Sequence, residues 1–186
     1  MKIVAATGNG HKLCEMREIL TNFEIVSQSD AGFCGEVEET GKTFLDNALL
    51  KARAVCKATN LPALADDSGL CVDALGGAPG VYSARYSGGG DQENRALLLK
   101  NLKDEKMRRA HFCCAVALVF PDGREVTAEG RTYGEILWKE RGTGGFGYDS
   151  LFLSDDLHKS FAEAGEAEKN SVSHRGRALA VLKEQL

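Results

Sequence analysis

Two adjacent aspartates, Asp66 and Asp67, are the residues whose type and position most clearly indicate chemistry. They follow the apolar run 61–65, which predicts a short buried strand, and they precede Ser68-Gly69. Side chains alternate along a strand, so at least one carboxylate would point toward a core or a cleft, where it needs a nearby cation. A metal ion bound at the end of the strand would be such a cation. A solvated Asp-Asp-Ser-Gly turn is the alternative, and the pair alone does not decide between them.

Lys12 is a candidate ligand for a phosphate group. It follows a predicted strand at 2–6 and the turn Thr7-Gly8-Asn9-Gly10, and it opens a helix predicted over 12–23. Backbone amides at such a helix start favour an anion, and a lysine there is electrostatically unfavourable unless an anion is bound. The dinucleotide-binding fingerprint G-x-G-x-x-G is incomplete, because Leu13 occupies the position of its third glycine.

The acidic loop at 27–41 does not bind phosphate as a phosphate loop would. Gly41-Lys42-Thr43 matches the end of that motif, but Glu36 stands at the position of its first glycine, and two further glutamates, Glu38 and Glu39, lie nearby.

The clearest helix is predicted next, over 43–59, where Lys51 lies one turn after Asn47 on the same face.

The second half of the chain predicts an antiparallel pair and two ligand-binding segments. The pair is formed by 111–120 and 124–133 around Pro121-Asp122-Gly123, a strong hairpin signal. The glycine-dense loop 141–149 carries Phe146 and Asp149, which suit stacking on a flat ligand and reading its edge. The final segment is predicted to gather three polar or cationic residues at one helix start, namely Lys169, His174 and Arg175.

The composition limits which classes of protein and partner fit this chain. The 186 residues and 43% hydrophobic content predict one domain, 1–186, with a substantial core. The net charge of −4 disfavours a nucleic-acid partner, and no apolar run approaches the length of a membrane span. The six cysteines show no C-x-x-C spacing, so we expect free thiols, no zinc site and a cytoplasmic location.

Six motifs, in order along nearly the whole chain, resemble the inosine/xanthosine triphosphate pyrophosphatases, hydrolases that remove deaminated purine nucleotides. The motifs are Thr7-Gly8-Asn9-Gly10-His11-Lys12, Glu38-Glu39-Thr40-Gly41-Lys42-Thr43-Phe44 with Asn47-Ala48 and Lys51-Ala52, Ala65-Asp66-Asp67-Ser68-Gly69-Leu70, Gly77-Ala78-Pro79-Gly80-Val81-Tyr82-Ser83-Ala84-Arg85-Tyr86, Gly144-Gly145-Phe146-Gly147-Tyr148-Asp149, and Lys169-Asn170 with Ser173-His174-Arg175. Two positions depart from the family pattern: Ser150 replaces a common proline, and His11 occupies a variable position.

The resemblance implies an α/β fold with an elongated mixed β-sheet flanked by helices, two lobes and a central substrate cleft, assembled as a homodimer. It also implies Mg²⁺-dependent cleavage of a nucleoside triphosphate to the monophosphate and pyrophosphate. Asp67 would be the general base and a metal ligand, and Glu39 would complete the metal site, with Glu38 and Asp66 as further candidate ligands.

The remaining implied site residues would bind the substrate. Lys12, Lys51 and Lys169 would hold phosphate oxygens. His174 and Arg175 would donate to the base carbonyl, Asp149 would accept from the base, and Phe146 would stack on it. The other expected substrate contacts are Thr7, Gly8, Asn9, Gly10, His11, Ser68, Gly147 and Tyr148.

Two other functions fit the same residues. One is a house-cleaning pyrophosphatase for other modified nucleotides, including pyrimidines. The other is a nucleotide sensor that has lost turnover, which the retained carboxylates and lysines disfavour.

Overall fold

The computed structural model describes all 186 residues, Met1–Leu186. The strands are β1 (Lys2–Ala5), β2 (Glu24–Ser27), β3 (Ala63–Val72), β4 (Arg109–Val119), β5 (Glu125–Ile136) and β6 (Phe152–Ser154). The α-helices are α1 (Gly10–Ile19), α2 (Phe44–Thr59), α3 (Asp91–Asn101), α4 (Glu166–Val172) and α5 (His174–Glu184). Two short 3-10 helices, Asp73–Leu75 and Gly80–Arg85, follow β3. None of the helices is long and apolar enough to cross a membrane.

The six strands form one mixed sheet. Their order is β2-β1-β3-β4-β5-β6, with β1 parallel to both β2 and β3 and with β5 antiparallel to β6. The predicted α/β class with a mixed sheet is therefore confirmed.

The chain divides into two compact units. Unit 1 contains Met1–Asp67, Cys114–Gly130 and Arg175–Leu186, and unit 2 contains Ser68–Cys113 and Arg131–His174. The three longest strands, β3, β4 and β5, each contribute residues to both units. That the whole chain acts as one domain stays a prediction.

Unit 1 has a hydrophobic cluster on each face of its strands. On one face, Ile3 and Leu64 pack with Met16 of α1 and Leu179 of α5. On the other face, the alternate strand residues pack with α2, whose small core residues, Ala48 and Ala52 among them, allow a close approach. Helices therefore cover both faces of this part of the sheet.

Local sequence signals account for α2. Its N-terminus is a capping box, in which the Asp46 amide donates to Thr43 Oγ1 (3.1 Å) and the Thr43 amide donates to Asp46 Oδ2 (3.2 Å). Its C-terminus is Asn60 in the left-handed conformation, at φ 52°. The helix predicted over 43–59 is confirmed to within one residue.

The predicted hairpin turn is also confirmed. The Gly123 amide donates to the carbonyl of Phe120 (3.0 Å), and Gly123 has a φ of +89°, which favours glycine. The Arg124 amide donates to Asp122 Oδ1 (2.9 Å), which completes the turn between β4 and β5.

Unit 2 has its own aromatic core. Leu70 and Phe112, from β3 and β4, pack with Leu98 of α3 and with Phe152 and Phe161. The ring of Phe152 lies 4.7 Å from that of Phe112 and 5.0 Å from that of Phe161. Tyr148 and Leu151 belong to the same cluster, so the end of the glycine-dense loop packs on this core.

Three sequence expectations about element boundaries were wrong. α1 begins at Gly10 rather than at Lys12, because the Asn9 side chain caps it, and it ends at Ile19. β3 does not end at the aspartate pair but continues to Val72. The C-terminal segment forms two helices, because Ser173 adopts an extended conformation between α4 and α5.

Candidate active site

The aspartate pair lies inside β3, with its two carboxylates on opposite faces of the sheet. Leu64, two residues before Asp66, belongs to the α1/α5 side, and Ala65, two residues before Asp67, belongs to the α2 side. Both aspartates are buried. The expectation that at least one carboxylate would point inward is confirmed, and the alternative of a solvated turn is wrong.

Asp66 is the centre of a buried ionic cluster in unit 1. Its Oδ2 accepts from Arg175 Nη2 (2.8 Å) and Nε (3.1 Å) and lies 3.0 Å from Lys12 Nζ. Arg175 also pairs with the buried Glu15 of α1. Burial alone would raise the pKa of Asp66, but the charges of Lys12, Arg175 and Lys51 hold it well below its ordinary value. Asp66 therefore stays ionised.

Asp67 lies in a different environment, formed with α2. Its Oδ2 accepts from Asn47 Nδ2 (2.9 Å), and its Oδ1 lies 4.0 Å from Lys51 Nζ. Burial raises the pKa of Asp67 above its ordinary value, and the Glu39 carboxylate adds to this, against the opposing effects of Lys51 and Asn47. A carboxylate with a raised pKa in a polar cluster suits a general base.

Lys51 connects both aspartates to the acidic loop. Its ammonium donates to Glu39 Oε1 (2.6 Å) and to the backbone carbonyl of Asp66 (2.7 Å). Burial lowers the pKa of Lys51, but the charges of Asp66, Asp67 and Glu39 outweigh that effect and leave it above its ordinary value. Glu38, the alternative that the sequence left open, is exposed.

The donor set beside Lys51 suits a magnesium ion shared with a substrate. No three His, Cys, Asp or Glu side chains converge as ligands of one metal ion. Two carboxylates, those of Asp67 and Glu39, do flank the Lys51 ammonium. Mg²⁺ is usually held by one or two carboxylates together with water and substrate phosphates, so these residues fit it and a protein-made cage is not required.

The first loop leaves its glycine backbone open. The Asn9 side chain accepts from the amides of His11 (2.9 Å) and Lys12 (3.3 Å), and the Asn9 amide donates to Thr7 Oγ1 (3.1 Å). Two amides that we expected to receive an anion are therefore occupied by the cap. A Cβ added at Gly8 or Gly10 would meet no atom within 4 Å, so a ligand could approach the backbone there.

In unit 2 the glycine-dense loop is tied to α4. Lys169 Nζ lies 2.8 Å from Asp149 Oδ2 and 4.7 Å from the centre of the Phe146 ring. The same Oδ2 accepts from the Phe146 amide (3.0 Å). A Cβ at Gly145 would lie 2.2 Å from this oxygen, and φ there is +69°, so position 145 requires glycine. Lys169 lies in the middle of α4, not at the start of α5 as expected.

Other predicted substrate contacts of unit 2 have structural partners. The buried Tyr148 hydroxyl donates to the Ser83 carbonyl (2.7 Å), and burial raises the pKa of Tyr148. Gly147 is held at both ends of its backbone, by Asp91 Oδ2 at its amide and by Arg95 Nη1 at its carbonyl (2.9 Å each).

The remaining predicted contact residues of unit 2 are partly or fully buried. His174 stacks on Phe112, with ring centres 4.8 Å apart and planes 14° apart. Ser68 is half-buried at the point where β3 enters unit 2.

The structure therefore brings predicted site residues together in three groups, two in unit 1 and one in unit 2. Unit 1 brings Lys12 and Asp66 together, and Lys51, Glu39 and Asp67 together. Unit 2 brings Phe146, Asp149 and Lys169 together. Each group joins residues from at least two separate segments of the sequence, which only the fold could show.

Sequence reasoning missed Glu15 and the hydrogen bonds of Asn47 to Asp67 and Gly41. Glu15 stands three residues after Lys12 on α1, a spacing that places both on one face and could have identified it. Asn47 was noted only as a neighbour of Lys51 on α2. Asp91 and Arg95 bond to the backbone of Gly147, but nothing in the sequence distinguished them from ordinary residues on the surface of a helix.

Comparison with known proteins agrees with these motifs. The Ham1 family model matches residues 3–185. The chain is 50% identical over 193 residues to the dITP/XTP pyrophosphatase of Haemophilus influenzae, covering 100% of this chain and 98% of the relative. It is 51% identical over 191 residues to the dITP/XTP pyrophosphatase of Geobacter sulfurreducens, covering 100% and 96%.

Solved structures are similar over the same length. The Ham1 protein of Staphylococcus aureus superposes with a TM-score of 0.89 at 38% identity, covering 100% of this chain and 97% of that one. The nucleoside-triphosphatase / dITP/XTP pyrophosphatase of Mycobacterium abscessus superposes with a TM-score of 0.78 at 49% identity, covering 98% of each chain. The resemblance is confirmed, and the chain belongs to the Ham1 family.

Proposed function

We propose that this protein hydrolyses deaminated purine nucleoside triphosphates, those of inosine, deoxyinosine and xanthosine, to the monophosphate and pyrophosphate. The full-length relatives named dITP/XTP pyrophosphatase support the reaction class. The observation that carries the proposal is the Asp67 cluster. There a buried carboxylate of raised pKa lies within 4.0 Å of the Lys51 ammonium, which in turn contacts Glu39.

In this mechanism Asp67 takes a proton from a water molecule. The water oxygen forms a bond to the α-phosphorus as the bond from that phosphorus to the bridging oxygen breaks, and pyrophosphate leaves. Phosphoryl transfer of this kind depends on positioning and charge neutralisation more than on covalent chemistry. Lys51 and Lys12 are the cations of unit 1 that supply positive charge.

We assign a Mg²⁺ ion to Asp67 and Glu39, together with phosphate oxygens of the substrate. When bound, the ion would neutralise phosphate charge and favour ionisation of the attacking water. Glu39 is preferred to Glu38 because it contacts Lys51, whereas Glu38 is exposed. Asp66 is not assigned to the metal, because Arg175 and Lys12 already engage its Oδ2.

Unit 2 supplies the residues proposed to recognise the base. Phe146 would stack on the purine, and Asp149 would accept the N1 proton that hypoxanthine and xanthine carry and adenine lacks. We place Lys169 in this set, in place of the phosphate role implied by the resemblance, because it lies against Phe146 and Asp149. His174 stays a candidate donor to the C6 carbonyl.

The assembly and the location of the protein complete the proposal. We propose a homodimer acting in the cytoplasm, on the basis of the family resemblance and of the cysteine pattern. Sedimentation equilibrium of the purified protein tests the first. A monomer at all concentrations would refute the dimer without affecting the proposed reaction.

The reaction is tested by measuring pyrophosphate release from inosine, xanthosine, adenosine and guanosine triphosphates, with Mg²⁺ and with a chelator. We expect fast release from the first two only, and only with Mg²⁺. Release of inorganic phosphate would place the cut at another bond. Turnover of modified pyrimidine nucleotides alone would indicate the related house-cleaning activity. Binding of inosine triphosphate without turnover would indicate a sensor.

A further inference from the structure

The buried amide of Asn47 links the Asp67 carboxylate to the backbone of the loop that carries Glu39. Asn47 lies on α2 and is fully buried. Its Nδ2 donates to Asp67 Oδ2 (2.9 Å), and its Oδ1 accepts from the Gly41 amide (2.7 Å). Gly41 stands only two residues after Glu39, so one side chain connects the strand that carries Asp67 to the loop that carries Glu39.

The bond to Asp67 determines how that carboxylate is turned. Because the amide of Asn47 engages Oδ2, it is Oδ1 that faces Lys51, at 4.0 Å. The terminal torsion of an aspartate is broad, so a hydrogen bond to one oxygen favours one orientation of the carboxylate over others. Asn47 thus favours an orientation in which one carboxylate oxygen is bonded to its amide and the other faces the cluster.

The bond to Gly41 fixes the acidic loop, and it requires glycine at that position. A Cβ at Gly41 would lie 2.6 Å from Asn47 Oδ1, 2.6 Å from Asp46 Cβ and 2.9 Å from the Asn47 nitrogen. Backbone and a buried side chain cannot yield at such distances. The absence of a side chain at 41 is therefore needed for the loop to reach Asn47.

We infer that Asn47 is a positioning residue that sets the spacing between the carboxylates of Asp67 and Glu39 and thereby the affinity for the shared divalent cation. The inference rests on the proposed function, because that function assigns the cation to these two residues. Residues that orient metal ligands from behind typically change metal affinity by about 10- to 100-fold when they are removed.

Two variants break the link from opposite ends. Asn47→Ala removes both hydrogen bonds. Gly41→Ala displaces the loop while leaving the amide free to bond Asp67. Asn94→Ala is the matched control, because Asn94 is also a buried helical asparagine, on α3, with bonds to Ser87 and to the carbonyl of Ala84. It tests whether loss of any buried amide has the same effect.

The first readout is binding of Mn²⁺ alone, measured by electron paramagnetic resonance of the unbound ion. The second is the Mg²⁺ concentration that gives half-maximal pyrophosphate release. We expect Asn47→Ala and Gly41→Ala each to weaken Mn²⁺ binding by about tenfold or more and to raise the Mg²⁺ requirement in parallel. Asn94→Ala should match the parent in both readouts, and saturating Mg²⁺ should restore the KM for the nucleotide in both site variants.

Three results would overturn the inference: Mn²⁺ affinity unchanged in both site variants, an equal loss in Asn94→Ala, or no Mn²⁺ binding by the parent protein. If Asn47→Ala does not fold, Gly41→Ala decides, since its substitution lies in the loop before α2. Failure of the proposed function gives a different pattern, in which the parent releases no pyrophosphate while the Mn²⁺ comparison still separates the variants.

Discussion

Replacement of Arg175 by methionine tests whether this residue stabilises unit 1 or reads the base. The family resemblance implies a donor to the base carbonyl. In the structure the guanidinium is fully buried, donates twice to Asp66 and pairs with Glu15. Methionine keeps much of the apolar length of the side chain and removes its charge.

The expected cost follows from what the variant leaves behind. Removing one partner of a buried ion pair costs about 3–5 kcal/mol, because the other charge stays buried. Asp66 would keep Lys12 at 3.0 Å, so we expect the lower part of that range, about 3–4 kcal/mol. In a protein of this size each kcal/mol lowers the Tm by about 2–4 °C, so a fall of roughly 6–16 °C should follow.

The loss of stability in Arg175→Met should depend on pH in a way that identifies Asp66 as its cause. The pKa of Asp66 lies below its ordinary value, so its contribution to stability is present above about pH 4 and is lost as the pH falls through its folded-state pKa. Without Arg175 the pKa of Asp66 would rise, since burial raises it and only Lys12 and Lys51 remain to oppose that effect, so Asp66 in the variant would be least tolerated at neutral pH. The difference in stability between parent and variant should therefore narrow from pH 7.5 to pH 5.

Urea unfolding in the presence of a chelator measures this difference. Arg53→Met is the control, because Arg53 pairs with Glu125 at an exposed site, where such pairs contribute about 0–1 kcal/mol. A loss in Arg175→Met no larger than in Arg53→Met, or one that does not change with pH, would refute the structural role. If stability is kept while discrimination between inosine and adenosine triphosphates is lost, Arg175 reads the base.

Three further predictions follow from the described contacts. Asp67→Asn should keep the Tm and lower kcat by about 10²–10⁴-fold, as for loss of a general base, and near-normal turnover would place the base elsewhere. Gly145→Ala should destabilise by about 1–3 kcal/mol in urea and raise the KM for inosine triphosphate, because its Cβ would collide with Asp149. Gly123→Ala, with φ +89° but open space, should leave that KM unchanged. Thr43→Ala should cost about 1 kcal/mol of thermal stability and Thr43→Ser much less, whereas equal losses would show that the hydroxyl cap is unimportant.

Elements with local causes could be predicted from the sequence. The capping box of α2 and the Asp-Gly turn between β4 and β5 involve residues within a few positions of one another, so their chemistry can be recognised in a short window. The break between α4 and α5 could not be predicted in this way. Gly176, the glycine nearest to Ser173, lies inside α5, and no proline is near, so neither of the strong helix-breaking residues marks the point where the chain leaves the helix.

The partners of the aspartate pair could not be predicted from the sequence either. Arg175 is 109 residues from Asp66 along the chain, and Asn47 is 20 residues from Asp67. The sequence could show only that a buried carboxylate needs compensation. It suggested a metal ion at a strand end, whereas the structure compensates Asp66 with Lys12 and Arg175 in the middle of a continuous strand.

That continuity explains how two identical neighbouring residues take different functions. Because β3 does not end at the pair, its alternation sends Asp66 toward α1 and α5 and Asp67 toward α2. The first meets two cations at hydrogen-bond distance and has a pKa well below the ordinary value, while the second meets an amide and a lysine at 4.0 Å and has a raised pKa. Neighbouring acids with pKa values shifted in opposite directions are how sites separate a permanent charge from a proton acceptor. Asp66 is therefore a fixed anion within unit 1, and Asp67 is the member of the pair that we propose as the proton acceptor.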